Sequence, residues 1–118
     1  MNGKICYVEI PATDPKASAA FYEKVFGWKS RARGDGVPAF DDTTGQVSGS
    51  FLKGRKPSRE PGIMTYVMVD HIEGTLAAIE KAGGKTVTAK TAIGGGGYWA
   101  SFTDLAGNLI GLYGETQK

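Results

Sequence analysis

The chain has 118 residues, long enough for one domain with a hydrophobic core, and its 41% hydrophobic and 22% charged residues are typical of a soluble globular protein. A net charge of only +2, without a stripe of lysine or arginine, argues against a nucleic-acid-binding surface. The single cysteine, Cys6, excludes an internal disulfide, and its apolar neighbours predict a buried, inert thiol. Without a long apolar segment or a signal peptide, we expect a cytoplasmic protein that does not bind membranes.

The first half of the chain predicts one strand, one helix and three more strands. Residues 4–10 read as an apolar strand that a proline ends. Asp14 followed by proline is typical of a helix start, and apolar residues at helical spacing predict a helix over 15–26, which Gly27 ends. Three strand-like segments follow, with turn residues between them, at 28–32, 38–42 and 46–53.

The second half predicts the same order again. A polar segment with two prolines, about 55–61, reads as a linker. A strand over 63–69 comes next, and a helix over about 71–82, capped by Asp70, follows it. The remaining strands are expected at 85–90, 98–103 and 108–113.

The repeated order predicts two half-modules, about 1–54 and 62–118, within a single domain of residues 1–118. Short sequence echoes support a duplication. Tyr7-Val8-Glu9-Ile10 resembles Tyr66-Val67-Met68-Val69, and a Glu-Lys pair and a glycine of the first helix recur 57 residues later. The order of elements is the stronger signal, because short echoes also arise by chance.

Two stretches carry a family resemblance. The first is Tyr7-Val8-Glu9-Ile10-Pro11-Ala12-Thr13-Asp14-Pro15 with the later Phe21-Tyr22-Glu23-Lys24-Val25-Phe26-Gly27-Trp28. The second is Asp104-Leu105-Ala106-Gly107-Asn108, which stands where the family usually has Asp-Pro-x-Gly-Asn. Together they resemble the vicinal-oxygen-chelate superfamily (glyoxalase, bleomycin resistance protein and dioxygenase), and in particular uncharacterised bacterial proteins related to lactoylglutathione lyase. The resemblance covers nearly the whole chain.

The resemblance implies an α+β fold in which two βαβββ modules form a curved, cup-shaped mixed sheet, with helices outside and the ligand inside. It also implies a homodimer. In the metal enzymes of this superfamily, four ligands lie on the first and last strand of each half. The matching positions here hold Tyr7, one of Ser48, Gly49 and Ser50, then Met64 and Gly111. None is a histidine, glutamate or glutamine, so we expect no metal cofactor.

Strand alternation is an independent guide to the residues that face the cup. Because successive side chains point to opposite faces, Tyr7 and Glu9 share one face of their strand, as do Tyr66 and Met68. These sets are aromatic, rich in methionine and include one carboxylate, as in small-molecule pockets. The predicted ligand-binding residues, expected to line one shared pocket, are Tyr7, Glu9, Ser50, Met64, Tyr66, Met68, Trp99 and Gly111.

Several of these residues have two interpretations. Glu9 is a candidate general base if an apolar cup raises its pKa; otherwise it pairs with a basic group such as Arg31 or lies at a solvated rim. The two tyrosines either donate hydrogen bonds to a substrate oxygen or only line the wall. Trp99 either stacks on a ligand or serves as a core or dimer contact. The glycine run at 94–97 is a mobile flap or a plain hairpin loop.

Two functional classes therefore stay open. The first is a metal-independent protein that binds a small hydrophobic or aromatic molecule, as bleomycin resistance proteins do. The second is a lyase- or isomerase-type enzyme that acts on a small carbonyl compound, with Glu9 as general base. The sequence does not decide between them and does not identify the ligand.

Overall fold

The two halves of the chain fold as two compact units, which divide between Pro57 and Ser58, within the predicted linker. This computed structural model describes residues 2–115. Each unit contains one helix and one mixed four-stranded sheet, in the order strand, helix, three strands. The predicted α+β class and the βαβββ repeat are therefore confirmed. Within the described residues, no helix has the length and apolar composition needed to cross a membrane.

The first unit contains β1 (Tyr7–Pro11), α1 (Pro15–Phe26), β2 (Lys29–Ala32), β3 (Pro38–Asp41) and β4 (Ser48–Leu52). Its sheet has the order β1-β4-β3-β2, with β1 parallel to β4 and the other pairs antiparallel. The helix has its predicted bounds. The Asp14 side chain accepts from the backbone N–H of Ala17, and Gly27, at a φ of 77°, ends the helix in a conformation that costs glycine little.

The beginning of β1 differs from the prediction. The strand begins at Tyr7 rather than at residue 4, and Cys6 is exposed rather than buried. Cys6 precedes the paired segment, where only its carbonyl takes part by accepting from the N–H of Ser48. Helix α1 contacts β2, β3 and β4, so the helix of this unit does not cover the approach to β1.

The core of the first unit, between α1 and its sheet, is aromatic. Tyr22, Phe40 and Phe51 are at most 2% exposed. Trp28 stacks on Tyr22 and on Phe40, with ring centroids 4.8 and 4.4 Å apart. Such contacts add to the gain from burying large apolar surfaces, so this cluster stabilises the unit.

The second unit contains β5 (Tyr66–Met68), α2 (Ile72–Lys81), β6 (Lys85–Ala92), β7 (Tyr98–Thr103) and β8 (Leu109–Gly114), in the sheet order β5-β8-β7-β6. Its core is mainly aliphatic, with Ile72, Ile79 and Leu112 at most 1% exposed. Phe102 is also fully buried, so it is a core residue. Strand β5 is shorter than the predicted 63–69, because the carbonyl of Ser58 accepts from the N–H of Leu109, where a longer β5 would continue the ladder.

Helix α2 begins one residue later than expected. Asp70 was the predicted cap, but the Nδ1 atom of His71 accepts from the N–H of Gly74 at 2.7 Å. His71 has the extended backbone of an N-cap residue, and its side chain accepts from the N–H three residues ahead, as capping side chains do. His71 is exposed.

The two capping residues show how the halves correspond. Asp14 and His71 are 57 residues apart, the same spacing as the echo within the helices. At this spacing Tyr7 corresponds to Met64 and Glu9 to Tyr66. The echo between the strand sequences that begin at Tyr7 and Tyr66 is therefore two residues out of register with the structural repeat.

The hairpin turns also repeat. In the turn after β2, Arg33 N–H donates to the Val37 carbonyl and Gly36 N–H to the Arg33 carbonyl, both at 2.8 Å. In the turn after β6, the same two bonds, both at 3.0 Å, connect Ile93 with the last two glycines of the run at 94–97. Arg33 and Ile93 therefore occupy equivalent positions, each directly after a strand.

Candidate functional site

Each sheet packs one face against its helix, and we call the opposite face the open face of that unit. In β1, the exposed residues Tyr7 and Glu9 alternate with the half-buried Val8 and the buried Ile10. In β5, the exposed residues Tyr66 and Met68 flank the half-buried Val67. The alternation predicted from the sequence is present in both strands.

A polar network lies on the open face of the first unit. The Nη1 atom of Arg33 donates to the phenol oxygen of Tyr7 at 3.2 Å and to the hydroxyl of Ser50 at 3.4 Å. Ser50 is fully buried, whereas Tyr7 is 40% exposed. The hydrogen bond from Ser50, followed by that from Arg33, lowers the pKa of the Tyr7 phenol below its usual value of 10.0.

Arg33 is fixed in place by Asp35, two residues later in the same turn. Its Nε and Nη2 atoms donate to the two carboxylate oxygens at 3.0 and 2.6 Å, and the N–H of Val37 donates to one of those oxygens at 3.2 Å. This two-pronged pairing raises the pKa of Arg33 and lowers that of Asp35 to about 2. The guanidinium is therefore held beside Tyr7 by a carboxylate that stays charged at neutral pH.

The remaining charges of this face are also paired. Glu9 contacts Arg55 at 2.8 Å, so a basic partner is present, although it is not the predicted Arg31. Arg31 instead contacts Asp41 at 2.9 Å, and Asp41 accepts from Ser48. Glu9 is part of a charged surface here rather than of an apolar wall.

Three residues were candidates for the second ligand position of the superfamily, and they lie on different faces of the sheet. Ser50 pairs with Glu9 in the ladder and lies on the open face, as does Ser48, which pairs with Tyr7. Gly49 lies on the helix side. A Cβ atom there would stand 2.2 Å from the carbonyl oxygen of Val8 and 2.4 Å from the ring of Phe40, so only glycine fits.

The open face of the second unit contains an apolar cavity of about 550 Å³. The side chains that line it come from β5, β7, β8 and the turn after β6, and they are Tyr66, Met68, Ile93, Trp99 and Tyr113. Three of the predicted ligand-binding residues thus meet at one cavity. Its walls are aromatic and aliphatic, and its polar side-chain groups are two phenols and the indole N–H of Trp99.

The last two predicted residues lie elsewhere. Gly111 pairs with Tyr66 under the ring of that tyrosine, where an added Cβ atom would stand 2.4 Å from a ring carbon. Met64 is half-buried, precedes β5 and is not among the residues that line the cavity. That Tyr7, Glu9, Tyr66 and Met68 share one pocket stays a prediction.

The glycine run at 94–97 forms a hairpin turn beside the cavity. A Cβ atom at Gly97 would stand 2.9 Å from the hydroxyl of Tyr113, and Ile93 before the run lines the cavity. The absence of side chains lets the backbone of this turn approach Tyr113. That the turn acts as a mobile flap stays a prediction.

A second groove, of about 630 Å³, lies between α1 and β2 in the first unit. Its lining includes the long charged side chains of Lys16, Glu23, Lys24 and Arg31. Such side chains are mobile and prefer water, so the aromatic cavity is the better candidate for a small apolar ligand.

Sequence reasoning missed Arg33, Asp35 and Arg55, all of which lie in turns or in the linker. The spacing of Arg33 and Asp35 in a glycine-rich turn was a usable signal, because a short turn brings such a pair together. Tyr113, which lines the cavity, was not among the predicted ligand-binding residues. Residues 2–115 contain no group of three or more histidine, cysteine, aspartate or glutamate side chains that could hold a metal ion.

The comparisons with known proteins agree on one family. Residues 4–112 match the model of the Glyoxalase/Bleomycin resistance protein/Dioxygenase superfamily. A glyoxylase-like domain-containing protein of Didymella fabae is 34% identical over 101 residues, covering 80% of this chain and 79% of that protein. The protein named "Putative glyoxylase CFP32" of Mycobacterium bovis is 25% identical over 114 residues, covering 91% of this chain but only 44% of that protein.

Solved structures give the same fold. The genomically encoded fosfomycin resistance protein FosX of Listeria monocytogenes superposes with a TM-score of 0.79 at 15% identity, covering 98% of this chain and 94% of that one. Identity this low speaks for the fold alone. With the family model matching most of the chain, the chain belongs to the glyoxalase/bleomycin resistance protein/dioxygenase superfamily.

Proposed function

We propose that the chain binds a small hydrophobic or aromatic molecule in the cavity on the open face of the second unit. The observation that carries this proposal is the convergence of Tyr66, Met68, Ile93, Trp99 and Tyr113 around about 550 Å³. Ligand pockets of drug-sized molecules are concave, mostly apolar and of this size.

The exposure of these side chains supports the proposal energetically. Tyr66 is 51% and Met68 66% exposed, which leaves apolar surface in contact with water. A ligand that covers this surface gains about 25 cal/mol for each Å² of apolar area removed from water. Trp99 and the two tyrosines offer flat faces on which an aromatic ring can stack.

We also propose that this binding needs no divalent metal. The four positions that correspond to the ligands of the metal enzymes hold Tyr7, Ser50, Met64 and Gly111, and neither a thioether nor a glycine suits a hard cation. In the first unit, the Arg33 guanidinium lies within 3.4 Å of both oxygens, and its positive charge would repel a cation there. These residues do not fit the family metal site.

The alternative function is a lyase- or isomerase-type reaction on a small carbonyl compound, with Glu9 as general base. A base must have a free oxygen within hydrogen-bond reach of the proton that it takes. Arg55 lies 2.8 Å from one carboxylate oxygen of Glu9 and would have to move or share that oxygen. We therefore favour binding over catalysis.

Native mass spectrometry of the gently purified protein tests the proposal directly. The expected spectrum contains the protein with a small organic molecule and without zinc, nickel, manganese or iron. About one such metal per chain in elemental analysis would contradict the metal-free proposal. Spectra that show only the ligand-free chain, both before and after incubation with a panel of aromatic compounds, would contradict binding.

Tryptophan fluorescence locates the ligand. The chain has two tryptophans: Trp28 in the aromatic core of the first unit and Trp99 at the cavity. In the variant Trp28→Phe, the remaining signal comes from Trp99 and should change when a ligand binds. In the matched variant Trp99→Phe, the signal from Trp28 should stay unchanged. The reverse pattern would place the ligand elsewhere.

We further propose a cytoplasmic homodimer, as is common for this superfamily. Light scattering at micromolar concentration should then give about twice the chain mass of 12.5 kDa. A monomer over the whole concentration range would contradict this proposal and would leave the binding proposal untouched.

A further inference from the structure

We propose that Tyr7, Arg33 and Ser50 form a binding site for a carboxylate on the open face of the first unit. The site does not depend on the aromatic cavity of the second unit, and its failure would leave that proposal standing. Both donors that we assign to the ligand lie within the first unit, on β1 and in the turn after β2.

Tyr7 supplies the first donor, its phenol hydrogen. The phenol oxygen accepts from Arg33 at 3.2 Å, so this hydrogen is not used in that bond. The Ser50 hydroxyl also hydrogen-bonds the phenol, and a carboxylate that takes the phenol hydrogen leaves Ser50 to donate to the phenol oxygen. A phenol that accepts from a guanidinium is polarised and becomes a stronger donor. The lowered pKa of Tyr7 is in accord with that polarisation.

Arg33 supplies the second donor. A guanidinium has five N–H groups, and the Tyr7, Ser50 and Asp35 contacts use four of them. The second hydrogen of Nη2 has no acceptor within residues 2–115, and the side chain is 34% exposed. The bidentate pair with Asp35 holds the guanidinium still, so little side-chain entropy remains to be lost when a ligand binds.

The base of the site is a buried polar group. Ser50 is fully buried, yet its hydroxyl is bonded to both Arg33 and Tyr7. Burying a hydroxyl without such bonds is costly, so the network keeps all three groups in one arrangement. This is a preorganised site rather than a chance meeting of exposed side chains.

The arrangement fits a carboxylate better than a cation or an apolar group. The two available hydrogens belong to the Tyr7 hydroxyl and to Nη2 of Arg33, whose neighbouring Nη1 atom lies 3.2 Å from the Tyr7 oxygen, and a carboxylate has two oxygens that can accept both. Glu9, the nearest carboxylate on β1, is held by Arg55, which reduces its repulsion of an incoming anion.

Tyrosine ionisation and ligand titration test the site on the full chain. With tyrosine labelled at the ring carbon that bears the oxygen, NMR follows each phenol against pH, and Tyr7→Phe assigns the Tyr7 signal. Benzoate should bind, shift the Tyr7 signal and raise its pKa, because a bound anion stabilises the neutral phenol. Benzamide has the same shape without the charge, and its affinity should be lower than that of benzoate by about tenfold or more.

Two variants separate this site from others. Arg33→Gln should weaken benzoate binding about tenfold or more and raise the Tyr7 pKa. The matched Arg31→Gln, on the same face but paired with Asp41, should leave benzoate binding unchanged and move the Tyr7 pKa far less, because Arg31 acts on Tyr7 through charge without a hydrogen bond. Thermal melting checks that each variant is folded, and Tyr7→Phe, which keeps the ring, should also lose benzoate affinity. Benzoate affinity that is the same in Arg33→Gln and Tyr7→Phe as in the parent would overturn the proposal. Equal affinity for benzoate and benzamide would do so as well.

Discussion

The two units share one topology but distribute their aromatic residues in opposite ways. In the first unit the aromatic rings lie between helix and sheet, around Tyr22, Trp28 and Phe40, and the open face is polar and ion-paired. In the second unit the core is mainly aliphatic, and Tyr66 and Trp99 lie on the open face. A duplicated fold therefore sets strand order and turns but leaves the chemistry of each face free to diverge.

The largest effect that tests this contrast comes from the first core. Phe51→Ala removes a fully buried ring that stacks on Tyr22 and should cost about 3–5 kcal/mol of unfolding free energy. Trp99→Ala removes an equally large group from the half-buried open face and should cost about 1–2 kcal/mol while abolishing ligand binding. Urea unfolding compares the two. Equal losses of stability would mean that Trp99 belongs to a core.

A second comparison uses two glycines on the last strand of each unit. A Cβ atom at Gly49 would meet the backbone of Val8, which cannot move away, so Gly49→Ala should cost about 1–3 kcal/mol or more. At Gly111 the Cβ atom would meet the exposed ring of Tyr66, which can turn aside. Gly111→Ala should leave stability nearly unchanged and alter ligand affinity instead. Similar melting temperatures for both variants would contradict this distinction.

The helix caps should give a smaller difference. His71 caps α2 with a ring nitrogen, and Asp14 caps α1 with a carboxylate. His71→Ala should cost about 0.5–1 kcal/mol, whereas His71→Asp should be neutral or stabilising, because aspartate is a preferred capping residue. Thermal unfolding monitored by circular dichroism measures both, and a destabilising His71→Asp would show that the ring makes further necessary contacts.

Acid should produce the smallest effect, and it should affect the first unit. Arg33 lowers the pKa of Asp35 from 3.8 to about 2, and Arg31 lowers that of Asp41. A carboxyl whose pKa is lowered by folding stabilises the folded state at any pH above its pKa in the unfolded chain. For Asp35 this contribution is lost as the pH falls from 3.8 towards 2. Both pairs are exposed and screened by water, so the loss is small.

Melting temperatures between pH 5 and 2 should therefore fall less steeply in Asp35→Asn than in the parent chain. Asp14→Asn is a matched control, because it also replaces a carboxyl with an amide but at the start of α1, away from the open face. If the melting temperatures of the parent and of Asp35→Asn fell equally between pH 5 and 2, Asp35 would not contribute to the acid sensitivity.

Local patterns predicted much of this fold. The helix over 15–26 had its cap, its period and its terminal glycine in the sequence, and its bounds were correct. The bounds of β5 were wrong because an apolar run does not reveal which of its residues find a partner, and the linker carbonyl of Ser58 took part of the ladder. Whether a residue pairs is decided by segments far away in the chain.

The candidate site divides in the same way. Alternation along single strands placed Tyr7, Glu9, Tyr66 and Met68 on the open faces correctly. Arg33 was missed because its role depends on a turn that brings it back over β1, and periodicity carries no information about the direction of a turn side chain. Arg55 was missed for the same reason, since the linker has no period to read.

The equivalent turn positions of Arg33 and Ile93 have a consequence for how such proteins acquire new ligands. Each residue directly follows a strand and contributes to its open face, yet its side chain takes no part in the strand ladder. A substitution there changes the side chain that the open face presents, while the backbone hydrogen bonds that form the two turns can stay in place. Protein engineering could use this pair of positions as a starting point: libraries at residues 33 and 93 would vary ligand preference while the scaffold stays constant.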